Sequence, residues 1–175
     1  MSDNEIHSEF GGSVIKRVIR CPGSVALCRT VPPEPSSKWA AEGTHAHKVA
    51  EDLLKLRQRK MAGHGELTEA VNTYLDTVYQ DWDAATARWR EVKGGPDTMP
   101  EGHVEAAFSL PVKHAPEGAV FGKNDFCLWE PLTGHLIVYD YKHGAGVGVS
   151  VEDNEQLKFY ALGAVLSKGW RVAQV

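Results

Sequence analysis

The densest chemistry lies around one hairpin. The turn Pro131-Leu132-Thr133-Gly134 separates two strand-like runs, and a loop centred on Leu132 and Thr133 pairs residues whose numbers sum to 265. That register sets Asp125 directly opposite Asp140, and the alternation of a strand brings Lys142 onto the same face. Like charges facing each other across a ladder are destabilising, so a fold that puts two carboxylates there normally has a cation to hold between them. Hard oxygen donors beside one lysine suit Mg²⁺ or Mn²⁺, with phosphate as the natural substrate group. A register slipped by one would leave ordinary exposed acids paired with surface lysines instead. Apolar residues on both faces of the two strands (Phe126, Leu128, Ile137, Val138, Tyr139) mark them as central and helix-covered, which argues against a solvated Asp140.

The elements that must carry this hairpin follow from apolar spacing. Residues 1–12 read as a loose tail, after which Ser13 caps a short helix, Val14 to Arg20, that stops at Cys21-Pro22-Gly23. A further helical turn spans Ser24 to Cys28, and the proline-rich loop VPPEPSS ends on Ser36 or Ser37 as a cap. Trp39, Ala46, Val49, Ala50, Leu53 and Leu54 predict a helix from Lys38 to about Lys60, in which Gly43 marks a kink or a close backbone approach. A second long helix runs from Leu67 to about Val92 and is ended by Lys93-Gly94-Gly95-Pro96. The pattern then changes to strand alternation at Val104 to Leu110, Ala119 to Trp129 and His135 to Lys142. A glycine-rich loop, Gly144 to Gly148, leads to a helix of about Asp153 to Ser167 and a last strand, Trp170 to Val175. This order predicts one α/β domain over residues 13–175 on a mixed sheet, and the stop on a strand fits a minimal core or a shortened form of a longer protein.

Composition narrows the function classes. One hundred and seventy-five residues with 42% hydrophobic and 24% charged content suit a single well-buried core and exclude wholesale disorder. A net charge of -4 provides no global positive field, so a nucleic-acid or phosphate role has to be local. No apolar run is long enough to span a bilayer and the polar start has no secretory core, which predicts no membrane partner and a cytoplasmic address. Cys21, Cys28 and Cys127 are an odd number without C-x-x-C spacing, against a disulfide framework or structural zinc.

Four ordered stretches now carry a resemblance. Phe121-Gly122-Lys123-Asn124-Asp125, followed fifteen residues later by Asp140-Tyr141-Lys142, looks like G-x-x-D and D-Y-K motifs. Ala41-Glu42-Gly43-Thr44-His45-Ala46-His47 resembles an E-G-T-x-x-H segment, and Gln156-Leu157-Lys158-Phe159-Tyr160 a Q-x-x-x-Y motif. Together they resemble the PD-(D/E)xK nuclease superfamily in its RecB-like branch. Cys21-Pro22-Gly23-Ser24 and the run Asn154 to Ala164 are similar to a phage and prophage family of uncharacterised proteins with this core. The resemblance implies a restriction-endonuclease-like fold, a central mixed sheet flanked by helices with an N-terminal helical extension. It implies Asp125 and Asp140 as metal ligands, with the Tyr141 carbonyl and His47 completing the set. Lys142 would position the attacking water, and Gln156 with Tyr160 would organise the site or touch the substrate backbone. The activity implied is Mg²⁺- or Mn²⁺-dependent hydrolysis of DNA phosphodiesters, as an exonuclease or end-processing enzyme in phage recombination or replication, in the host cytoplasm where the chain is phage-encoded. Lys123 and Asn124 depart from the small residues usual before that aspartate.

Each residue also has a plainer reading. His47 could pair with Glu51 one turn on, and His45, on another face, reads as a bystander. Asp153 and Gln156 fit a capping box, and Tyr160 fits a core position. Glu105 is a further candidate carboxylate or an ordinary edge glutamate. The glycine loop lacks the Gly-Lys-Ser/Thr of a phosphate-binding loop, and Lys55, Arg57, Arg59 and Lys60 either track a phosphate backbone or satisfy a helix end. The rival functions are a catalytically inactive nucleic-acid-binding or assembly module and a metal-dependent hydrolase of small phosphoesters.

Overall fold

The computed structural model describes residues 8–32, 35, 37–92, 97–113, 116–144 and 149–175. Residues 1–7 of the expected tail, Lys93-Gly94-Gly95-Pro96, part of the proline-rich loop, and residues 145–148 of the glycine loop lie outside the described residues. The chain is α/β. Among the described residues, five helices, α1 (Gly12–Arg20), α2 (Ser24–Cys28), α3 (Lys38–Lys55), α4 (Glu66–Glu91) and α5 (Glu155–Lys168), accompany β1 (Glu101–Ser109), β2 (Phe121–Glu130) and β3 (His135–Tyr139). The strands form one sheet in the order β1-β2-β3, antiparallel between β2 and β3. Among the described residues, no helix is long and apolar enough to cross a membrane.

Two compact units make up the chain. Met1–Glu34, Ala107–Lys123 and Ser150–Trp170 form the first, and Pro35–Ala106, Asn124–Val149 and Arg171–Val175 the second. In the first, α1 packs against α5. Gly12 makes this possible, because a Cβ there would stand 2.4 Å from the Tyr160 ring. The helix starts at Gly12 with Gly11 as its cap, two residues before the expected Ser13 cap, and Ser13 lies inside it. Gly163 does the same for Phe108, whose ring fills the space a side chain would take and packs on Phe159 and Tyr160.

In the second unit, α3 packs against α4. Ala46, Ala50 and Leu54 meet Val71, Leu75 and Val78, and Phe126, Leu128 and Tyr141 complete the core. Ser37 caps α3 as expected, its side chain accepting from the Ala40 N–H at 3.1 Å. The helix stops at Lys55, short of Lys60, because Arg57 turns left-handed (φ +54°) and the Arg57 and Gln58 N–H groups close back on the carbonyls of Leu54 and Leu53. The Arg57 guanidinium then lies 5.4 Å over Trp82, a contact that holds this unusual cap. Gly43 neither kinks α3 nor meets anything, since a Cβ there has open space.

The β2–β3 ladder has the expected register, from Phe126 opposite Tyr139 to Glu130 opposite His135. Gly134 closes the turn with φ +70°, its N–H donating to the Glu130 carbonyl. The expected last strand, Trp170 to Val175, does not form: Gln174 makes an isolated parallel bridge with His135, its carbonyl accepting from the Leu136 N–H. The Ala173 N–H is drawn instead to the Gly134 carbonyl at the turn, which leaves room for a single bridge.

Candidate functional site

The ladder ends one pair short of Asp125 and Asp140, so these two acids stand at its open end where the strands no longer bond each other. Their oxygens take other partners. The Tyr141 N–H donates to Asp125 Oδ2 at 2.6 Å, and His47 Nδ1 lies 3.3 Å from Asp125 Oδ1. Lys142 Nζ is 2.5 Å from Asp140 Oδ2; the lysine is half-exposed, whereas the Asp140 side chain is only 12% exposed. The elements explain the convergence. α3 buries Ala46 and Ala50, which turns His47 toward β2, and the Tyr141 ring anchors the chain after β3 by packing on His47 and on Tyr74 of α4 at 5.1 and 5.0 Å.

The electrostatics follow from burial and these contacts. His47 is held above its ordinary pKa by the hydrogen bond to Asp125, against the opposing pull of burial and of Lys142. Asp140 is pushed up, chiefly by burial and further by the Asp125 charge, although Lys142 and His47 pull the other way. The Tyr74 hydroxyl is driven far upward by burial and by the negative charge of Asp125, Asp140 and Glu105. It is buried without a hydrogen-bond partner among the described residues. A buried donor left unmade beside three acids is a costly arrangement for a merely structural cluster.

Sequence reasoning missed three members of this neighbourhood. Tyr74 sits in the apolar register of Val71, Leu75 and Val78, where spacing alone reads as core. His143 follows Tyr141 by the alternation of an extended chain, and its Nδ1 meets the Tyr141 hydroxyl at 3.1 Å. Its Nε2 lies 3.5 Å from Glu42 Oε1, so the glutamate of the E-G-T segment reaches the same strand end as His47. The signal available for all three was position on the face that the candidate residues already define.

Other expectations are redistributed. His47 does not pair with Glu51, which is taken by Lys48 and Lys55 because those lysines lie one turn away on the solvated side. His45 is exposed. Glu105 sits within β1 in a left-handed conformation (φ +51°), which breaks the alternation of the strand, and its charge reaches Tyr74. The capping box fails: Asn154 caps α5 by accepting from the Gln156 and Leu157 N–H groups, and Asp153 turns left-handed and pairs with Lys158. Gln156 Nε2 is left to donate to the Tyr160 hydroxyl at 2.9 Å within the first unit, where Tyr160 is buried. Of the basic cluster, Lys55 pairs with Glu51, and Arg59 grips Asp83 with both nitrogens over the Tyr79 ring. With Arg57 over Trp82, these side chains serve the fold. Asn124, the departure from small residues in the G-x-x-D segment, is buried with both amide atoms unpaired among the described residues.

Chemically, the open end offers two carboxylates, a histidine and a mobile ammonium in one place. Among the described residues, no group of three or more His, Cys, Asp and Glu side chains is already gathered as a metal cage. The donor types nevertheless fit a hard divalent cation, and burial of Asp140 together with the charge of Asp125 disfavours a second bare carboxylate there, which a cation between them would offset. No solved structure matches the chain. The family described as protein of unknown function (DUF2800) matches residues 7–170, nearly the whole length, and the chain belongs to it.

Proposed function

We propose that this chain is an Mg²⁺- or Mn²⁺-dependent deoxyribonuclease with a restriction-endonuclease-like core, acting as an exonuclease or end-processing enzyme in phage recombination or replication. One observation carries it: the hairpin register delivers Asp125 and Asp140 side by side at an open strand end, with Lys142 and His47 on their oxygens. Asp125 and Asp140 would hold the cation, with the Tyr141 carbonyl and His47 as further donors. Bound there, it supplies a Lewis acid beside the phosphate under attack. Lys142, half-exposed on a flexible stem, orients the attacking water or a phosphate oxygen. Asp125, gripped by the Tyr141 N–H, keeps the strand end rigid while those partners exchange.

A second function has its own support. The two acids already have internal partners in His47 and Lys142, and among the described residues no cage of three donors is gathered, which suits a catalytically inactive nucleic-acid-binding or assembly module. Labelled linear and circular DNA, single- and double-stranded, incubated with Mg²⁺, Mn²⁺ or EDTA, separates the two. Products in a metal lane and not with EDTA are expected. Binding without products in any lane would replace the enzyme with the module.

A further inference from the structure

The inward face of α3 continues past the core that it serves. At about 100° per residue, Trp39 has nearly the azimuth of Ala46 and Ala50, both almost fully buried. Trp39 itself is 75% exposed. Glu42 and His47 flank that azimuth on the two sides, and they reach His143 and Asp125 respectively. The helix thus presents a bare indole on the same side as the candidate site, about 12 Å along its axis from His47. Between them stands Gly43, where a Cβ would meet nothing. Among the described residues, the half-exposed side of the helix at Glu42, Gly43 and His47 thus leads from the candidate site to a large, flat, exposed ring.

An indole three-quarters exposed contributes little apolar burial to the fold. Trp82, by contrast, is covered by Arg57, and Trp129 lies in the core. Every nucleobase has a face on which an aromatic ring can stack; inside a duplex both faces are occupied by neighbouring pairs, and at a blunt end only the outer face of the last pair is free, whereas each unpaired base can be splayed onto a ring. We propose that Trp39 is a stacking platform for an unpaired base of the same nucleic-acid strand whose phosphate lies at Asp125, Asp140 and Lys142, with the strand crossing α3 at Gly43. The site thereby favours single-stranded or frayed ends over blunt duplex. This rests on the nuclease proposal for its scissile end, but the stacking itself needs no cleavage.

Binding and cleavage are measured separately. Fluorescence anisotropy in EDTA uses a labelled single-stranded oligonucleotide and a blunt duplex, with the full chain as wild type, Trp39→Ala, Trp39→Phe, Gly43→Gln and the exposed control Leu56→Ala. Wild type should bind the single strand more tightly than the duplex. Trp39→Ala should lose about 5- to 150-fold for the single strand and little for the duplex, and Trp39→Phe should restore most of it. Gly43→Gln should melt no lower than wild type, because glycine is the poorer helix former, and still bind more weakly. Leu56→Ala should bind as wild type. If wild type cleaves in metal and Trp39→Ala binds single strands equally well, the platform is refuted and the nuclease stands. Binding through Trp39 with no cleavage in any metal refutes the nuclease and keeps the platform. Absence of nucleic-acid binding in EDTA refutes the platform, and absence of cleavage in every metal as well removes both. A change of oligomeric state in Trp39→Ala, with unchanged affinity, assigns the ring to a contact between copies and overturns the proposal.

Discussion

The two ends of the β2–β3 hairpin hold their acids in opposite ways. At the turn end, Glu130 is 2% exposed and both its oxygens take Arg88 nitrogens at 2.8 Å. The guanidinium holds the Glu130 carboxyl below its ordinary pKa in spite of burial. At the open end, Asp140 leans on a lysine and Asp125 on a histidine, and burial wins over those partners at Asp140. An arginine fork is permanently charged and geometrically matched to a carboxylate, so the turn end is locked. Lysine on a flexible stem and histidine near its titration range are partners that can be exchanged. One strand pair therefore carries a structural acid and, five residues along β2, acids kept available.

The largest effect that can break this contrast is on activity. Asp140→Ala and Lys142→Ala should each lower kcat for DNA cleavage by at least about a hundredfold while circular dichroism stays that of wild type. Arg88→Ala should retain kcat. Full activity in either folded open-end variant would remove the chemistry from this site.

Stability should respond the other way. Arg88→Ala leaves Glu130 buried without its cation and should cost about 2–3 kcal/mol, below the range for fully buried pairs because Arg88 is half-exposed. Glu130 has a depressed pKa when folded, so the contribution of the pair is present above the unfolded carboxyl pKa and is lost as pH falls through the folded value. Urea titrations near pH 7 and pH 3 should show the gap between wild type and variant closing in acid. A gap that widens there would mean that Arg88 acts through packing alone.

Much of the open end was legible from the chain because a hairpin register is arithmetic: a four-residue turn and period-two alternation place Asp125, Asp140 and Lys142 without tertiary information. Helix cores were legible for the same reason, at Ala46, Ala50, Val71 and Leu75. What stayed hidden depends on contacts distant in sequence. Gly12 lies where any side chain would collide with the Tyr160 ring, and Arg57 ends α3 in a conformation stabilised by Trp82. Tyr74 looks apolar in the α4 pattern, and only its neighbours turn its hydroxyl into part of the site. Asn154 outcompeted Asp153 as a cap through backbone geometry that residue type does not specify.

Metal should sharpen the contrast by a smaller amount. Wild type should gain about 1–3 kcal/mol from Mg²⁺ or Mn²⁺ at ten to a hundred times its dissociation constant, read as a rise in Tm. The repulsion between facing acids, taken alone, would make Asp125→Asn the variant that melts at or above wild type without metal. The structure moves that expectation to Asp140→Asn, because Asp125 is tied to the Tyr141 N–H and His47 whereas burial disfavours the Asp140 charge. Asp140→Asn should match or exceed wild type in EDTA and gain little from metal; a clear loss of Tm in EDTA would make Asp140 a structural acid like Glu130.

The smallest effect belongs to His47. Its folded pKa is raised above 6.5 by Asp125, so the stabilisation it contributes is complete below the unfolded value and disappears as pH rises through the folded one. Asp125 and Asp140 favour the charged ring and Lys142 opposes it, and the ring is about a third exposed, so solvent screening keeps the contribution under about 1 kcal/mol. In EDTA, His47→Ala should therefore be more destabilised relative to wild type at pH 5 than at pH 8, the reverse of the pattern for Glu130. With metal present the histidine has a different task, to give its neutral nitrogen to the cation, and the variant should bind Mn²⁺ more weakly at pH 8. If the EDTA gap is the same at both pH values, the Asp125 contact does not charge the ring. If Mn²⁺ titrations of wild type and variant then also coincide, His47 belongs with Arg88 among the residues that only build the fold.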